Sequence, residues 1–288
     1  MEVTQLESVA RGKLVQLFTA QVLKDLVKLG YSKRLEEART ALEHLGHIEF
    51  DAQLSEVFER AYSVLLDVYP GEYVLLNECL CREMAESSKQ GTVYRELAIG
   101  ASKADLAIFR PGESSGFEIK SRFDRLDRLQ GQLQTYQQVF TRTYVVTGQG
   151  HAPRVLQESA ASVGVLAVSR QGIRELRPAM QSLDLTNSDR LFALLRKREY
   201  LQLTKEEFGA VPDLPNTRIY RACLALFKQI DLPRRQALVS DILHQRQSPP
   251  PREDDRAWRL PRSLRALALS SKLDQSQLLR LSCLLERP

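Results

Sequence analysis

Lys103-Ala104-Asp105-Leu106-Ala107-Ile108-Phe109 is a short apolar run with one acid near its start, and Gly116-Phe117-Glu118-Ile119-Lys120 follows it after Pro111-Gly112-Glu113-Ser114-Ser115. The proline, glycine and serines suit a hairpin connection between two strands. Strand side chains alternate with period two, so Glu118 and Lys120 point to one face while Phe117 and Ile119 point to the other. An Asp, a Glu and a Lys converging on one sheet face have the composition of a Mg²⁺ site with a cation beside it.

Mg²⁺ prefers hard oxygen ligands and is held by one or two carboxylates plus substrate phosphate. Asp105 and Glu118 supply such carboxylates, and the Ile119 carbonyl is an added oxygen. A metal there would lower the pKa of a bound water and polarise a phosphoryl group. Lys120 would orient or deprotonate the attacking water, or offset charge in the transition state. The chemistry expected is metal-assisted hydrolysis of a phosphodiester, with Mg²⁺ or Mn²⁺ as cofactor. Glu118 and Lys120 also read as an exposed charge pair, and Asp105 as a strand-start residue.

Tyr94-Arg95-Glu96-Leu97 precedes the Asp105 strand, and Gln132-Leu133-Gln134-Thr135-Tyr136 follows the Lys120 strand. Gln132 and Tyr136 stand at i and i+4 and share a helix face. Tyr136 also belongs to the apolar stripe Leu126, Leu129, Leu133, Tyr136 and Phe140, a core-facing pattern. It therefore reads as half core, and Gln132 as the better contact for substrate. Arg122, Arg125 and Arg128 flank the helix start, either to grip phosphates or as a solvated face.

Asp105, the hairpin and Glu118-Ile119-Lys120 resemble the core of the PD-(D/E)XK nuclease superfamily. Ala104 stands where the proline of that name would be, which leaves the ligands intact. Glu96 is similar to the upstream glutamate that supports the metal in this superfamily, and Gln132 to Tyr136 are similar to the Gln-x-x-x-Tyr helix motif of its RecB-like branch. The resemblance covers roughly residues 90–150. It implies a restriction-endonuclease-like mixed sheet and a Mg²⁺-dependent deoxyribonuclease. Asp105, Glu118, Lys120 and Gln132 would be catalytic, Glu96, Asp105, Glu118 and Ile119 would hold the metal, and Arg122, Arg125, Arg128 and Tyr136 would contact DNA.

Length and composition are those of a globular chain: 288 residues, 43% hydrophobic and 27% charged. With no apolar run of membrane-spanning length and no signal-peptide pattern at the start, the expected location is cytoplasmic. Cys79, Cys81, Cys223 and Cys283 lack zinc spacing and read as free thiols. His44 and His47 suit a helix terminus rather than a metal. Residues 185–288 carry 19 Lys/Arg against 12 Asp/Glu, while residues 1–184 carry 22 against 24. Basic excess around Arg196-Lys197-Arg198, Arg234-Arg235 and Arg256 to Arg265 is compatible with a nucleic-acid footprint, and equally with solvated helices.

The expected organisation is α/β, with a mixed-sheet core between helical N- and C-terminal extensions. Residues 1–88 read as helical. Residues 89–180 hold strands at Thr92–Ile99, Lys103–Phe109, Gly116–Lys120, Thr143–Thr147, Val163–Val168 and Gly172–Leu176, with helices at Arg125–Phe140 and Pro153–Ser162. Residues 181–246 return to helix, with caps at Asn187 and Asp231 and a capping box at Thr204–Glu207. Residues 247–288 read as a Pro-rich linker and a leucine-rich helical tail. Two other functions fit the same residues: a non-catalytic nucleic-acid-binding module, or an assembly subunit, homo-oligomeric or docking partner proteins through its helical ends.

Overall fold

The computed structural model describes residues 3–86, 91–182, 185–246, 256–271 and 273–287. The chain divides into two compact units, one of residues 1–86, 168–173 and 251–288, the other of 87–167 and 174–250. It is a mixed α/β protein, 55% helical and 17% strand. No described helix is long and apolar enough to cross a membrane.

The first unit opens with five helices: α1 Val3–Leu17, α2 Ala20–Leu29, α3 Lys33–His44, α4 Leu54–Val68 and α5 Glu72–Glu86. The apolar stripe from Leu14 to Leu29 is interrupted at Thr19, whose extended backbone separates α1 from α2. Gly30 ends α2 in the left-handed conformation, φ 73°, returning its N–H to the Leu26 carbonyl.

The second unit carries β1 Thr92–Ile99, β2 Ser102–Arg110, β3 Glu113–Lys120, α6 Leu129–Gln137, β4 Arg142–Gly148 and α7 Ala152–Glu158, with β5 Gly164–Ser169 and β6 Gly172–Arg177 except for their residues between 168 and 173. The six strands lie side by side in chain order. β1, β2 and β3 run antiparallel in turn, and β4 lies parallel to β3 with Lys120 opposite Thr147. The β2–β3 connection is shorter than the sequence suggests. Pro111 and Gly112 alone make the turn, closed by the Arg110–Glu113 pair, with Gly112 at φ 77°. Glu113 to Gly116 already belong to β3.

Four helices follow: α8 Ser188–Phe192, α9 Lys197–Phe208, α10 Asn216–Phe227 and α11 Leu232–Gln245. Asn187 caps α8 as expected, accepting the Arg190 N–H at 3.1 Å, but the helix stops at Phe192. Asp231 caps α11 in the same way through the Arg234 N–H, with Pro233 in the first turn. Thr204 does not cap a helix. It sits buried inside α9 and donates to the Tyr200 carbonyl four residues back. Tyr94, Ala107 and Phe109 of the sheet share a core with Tyr136 and Phe140 and with Phe192, Phe227 and Val239 from these helices.

The Pro-rich linker lies outside the described residues. Beyond it come α12 Arg256–Arg259, a 3-10 turn at Arg262–Leu264, α13 Arg265–Ser270 and α14 Gln275–Leu285. Asp274 caps α14 reciprocally with Gln277. Leu264, Leu267, Leu278, Leu281 and Leu285 are buried in one core with α1 to α4. These five leucines complete the core of the helical unit. Polar contacts lock the same join. Glu78, 2% exposed, takes both Arg262 and the Tyr62 hydroxyl, and Asn77 binds the Arg262 carbonyl and the Ala266 N–H.

Candidate active site

The antiparallel register that pairs Leu106 with Phe117 places Asp105 across from Glu118, one step further along. Their side chains therefore share the sheet face that also carries Lys103, Ala107, Gly116 and Lys120. Helix α6 covers this face. Its approach depends on Gly116, where an added Cβ would stand 2.1 Å from a Phe140 ring carbon. Phe140 lies in the turn that follows α6, so the missing side chain lets this end of the helix sit close to β3.

The residues brought together form one connected cluster. Lys120 Nζ lies 2.6 Å from Glu118 Oε1 and 3.1 Å from Gln132 Oε1. Glu118 Oε2 accepts from the Tyr136 hydroxyl, which also lies in hydrogen-bond contact with the Lys103 carbonyl. Asp105 Oδ2 accepts the Ile119 N–H at 2.7 Å. Thr147 of β4 donates to the Lys120 carbonyl at 2.6 Å and fixes the end of β3. Glu118 is 1% exposed, whereas Asp105, Lys120 and Gln132 are half-buried. A polar wall of the site is thus open to solvent above a carboxylate that is not.

Burial raises the Tyr136 pKa well above its ordinary value, and the Glu118 and Asp105 charges raise it further. The hydroxyl stays protonated and serves as a donor. Tyr136 is both a core ring and a hydrogen-bond partner of Glu118, and i,i+4 spacing joins it to Gln132.

Glu96 stands apart. The β1–β2 register puts it across from Asp105, yet it adopts φ 50°, the one positive φ outside glycine among the described residues. Its carboxylate lies 3.5 Å from Lys103 Nζ, both side chains well exposed. Among the described residues no three His, Cys, Asp or Glu side chains gather as a metal-binding group. The expected three-carboxylate set is therefore corrected to two, Asp105 and Glu118, with the Ile119 backbone beside them. A half-buried and a buried carboxylate have the hard oxygen donors of a Mg²⁺ site, whose shell is completed with water and phosphate.

Arg122, Arg125 and Arg128 are exposed in the loop between β3 and α6. The helix expected from Arg125 begins only at Leu129, because Asp124 accepts both the N–H and the hydroxyl of Ser121 at 2.7 Å and closes a turn. Several C-terminal arginines counted toward a basic footprint are instead engaged in structure. Arg246 pairs with Glu199 at 2.6 Å, Arg234 with Glu207 at 2.8 Å, and Arg262 with Glu78. Sequence reasoning missed Thr147 and Asp124, whose only signals were a polar residue closing an apolar strand and a Ser-x-x-Asp turn.

Residues 73–251 match the family model of bacteriophage P4 protein cII. The chain belongs to the bacteriophage P4 cII protein family. Every residue of the cluster from Asp105 to Thr147 lies inside the matched stretch. It is 35% identical over 77 residues to protein cII of Enterobacteria phage P4, which is 26% of this chain and 29% of that relative. This cII-family chain also resembles a solved structure, the SPO1766 protein of unknown function from Silicibacter pomeroyi. That likeness covers 47% of this chain and 90% of the other at 18% identity, with a TM-score of 0.33.

Proposed function

We propose that this chain is a metal-dependent nuclease of the PD-(D/E)XK type that hydrolyses DNA phosphodiester bonds, in restriction, repair, recombination or defence against mobile DNA. One observation carries the reading. Asp105, Glu118 and Lys120 lie on one sheet face beneath Gln132 and Tyr136 of α6, and the last four of these five are joined by hydrogen bonds. A solvated charge pair would need none of those partners.

Asp105 and Glu118 would hold Mg²⁺ or Mn²⁺, with the Ile119 backbone beside them. When bound, the ion would supply Lewis-acid polarisation of the phosphoryl oxygens and a more acidic water. Tyr136 fixes one oxygen of Glu118, so this carboxylate has a single orientation. Lys120 neutralises the other oxygen and is aimed by Gln132, which holds the ammonium at the solvent edge of the cluster. There Lys120 can stabilise charge on the phosphorane or position the attacking water. Buried Glu118 keeps the cluster preorganised.

A second reading is favoured by the same contacts. Both Glu118 oxygens are already engaged, as in a core kept for shape that binds nucleic acid without cutting it. Mn²⁺ titration by calorimetry separates the two. The nuclease reading expects binding that Asp105→Asn abolishes in a folded protein. No Mn²⁺ binding by the wild type, or equal binding by the variant, would favour the non-catalytic module.

A further inference from the structure

We infer that the loop between β3 and α6 is a stacking platform for an unpaired nucleotide, with Phe123 against the base and Arg122, Arg125 and Arg128 along the flanking phosphates. The substrate class would then be single-stranded DNA. Phe123 keeps 57% of its surface in solvent. Single exposed apolar residues are ordinary, and Phe50 is more exposed still at 87%. What distinguishes Phe123 is its setting. It follows Lys120 by three residues, and the loop around it is closed by Asp124, which accepts from both the N–H and the hydroxyl of Ser121. The Phe123 N–H also donates to the Ser121 hydroxyl at 3.4 Å. The ring is thus held outward by a structured turn rather than left on a loose tip.

The charge around it is right for a phosphate chain. The Arg122 guanidinium lies 4.6 Å from the centre of the Phe123 ring. Arg125 pairs with Asp127 at 3.5 Å, with side-chain exposures of 88% and 53%, a surface contact that costs little to exchange for phosphate. Asp124 is spent on Ser121. Aromatic rings interleaved with arginines are the recurrent means of holding single strands, because every base has a face to stack on. In a duplex those faces are covered by neighbouring bases. The consequence for cleavage rests on the nuclease reading, since the strand so held would be the one presented to Lys120; the binding itself does not.

The test is fluorescence anisotropy in EDTA, where nothing is cut, with labelled oligo-dT and a labelled duplex. Phe123→Ala should weaken oligo-dT binding by about ten-fold, and Phe123→Trp should restore it. Duplex affinity should stay unchanged, as should the affinity of a Phe50→Ala control for both probes. Unaltered oligo-dT affinity in Phe123→Ala, an equal loss on duplex, or no oligo-dT binding by the wild type would overturn the inference. A wild type that binds oligo-dT through Phe123 but never cleaves would sink the nuclease reading and leave this one standing.

Discussion

Lys120 and Glu118, two residues apart on β3, face the same way and meet at 2.6 Å, with side-chain exposures of 12% and 2%. A buried pair of this kind contributes little net stability but is costly to break from one side. Lys120→Ala should leave the Glu118 charge with the Tyr136 hydroxyl as its remaining side-chain donor and destabilise the protein by about 3 kcal/mol. The double variant with Glu118→Gln should recover much of that loss in urea unfolding. A single variant costing under about 1 kcal/mol would place the pair in effective contact with water.

Gly116→Ala tests the approach of α6 to the sheet. The new methyl would meet the Phe140 ring at 2.1 Å. Overpacking of this kind costs about 1–3 kcal/mol. Phe140→Leu in the same chain should relieve part of it. An alanine variant with wild-type stability would mean that Phe140 does not sit where the structure puts it.

Removing residues 256–287 should unfold the helical unit rather than trim a dispensable tail. Leu264, Leu267, Leu278, Leu281 and Leu285 leave its core together, and each buried leucine is worth about 1.5–3 kcal/mol. Far-ultraviolet dichroism and thermal unfolding should show lost helix and lost cooperativity. A truncated chain with unchanged helicity per residue would contradict this.

His151 gives a pH dependence with a definite sign. Burial holds its pKa below 6.5, Arg154 pushes the same way, and Asp124 opposes them. As pH falls through 6.5 the unfolded chain takes up this proton before the folded one does. Stability from this site is therefore complete above 6.5 and declines below it, down to the folded value. His151→Gln should flatten that part of the stability–pH curve. An unchanged slope would remove His151 as its source.

Much of this architecture was legible because its signals are local. Thr92–Ile99 and the Asp105 and Glu118 strands follow from alternation between turn residues. Asp231-Leu232-Pro233 announces its helix by cap chemistry. The cluster itself was legible through period two on β3 and i,i+4 on α6. What sequence could not show depends on distant partners. The leucines of α13 and α14 look like a free apolar stripe until α1 to α4 cover them. Thr204 resembles a cap until Tyr200 is seen one turn back. Leu126 is buried beside Leu129 and Leu133 without being helical, so its spacing extended α6 too far. Glu96 sits in the right register, and its positive φ gives no warning in the residues around it.

The central claim is that Asp105, Glu118, Lys120 and Gln132 act together on a phosphodiester. The direct measurement is cleavage of supercoiled plasmid, linear duplex and single-stranded DNA with Mg²⁺, Mn²⁺ or EDTA, by the wild type and by folded Asp105→Asn and Lys120→Met variants. The expected result is cutting by the wild type that needs the metal and that both variants lose. No cutting by the wild type with either metal, or equal cutting by all three proteins, would contradict it.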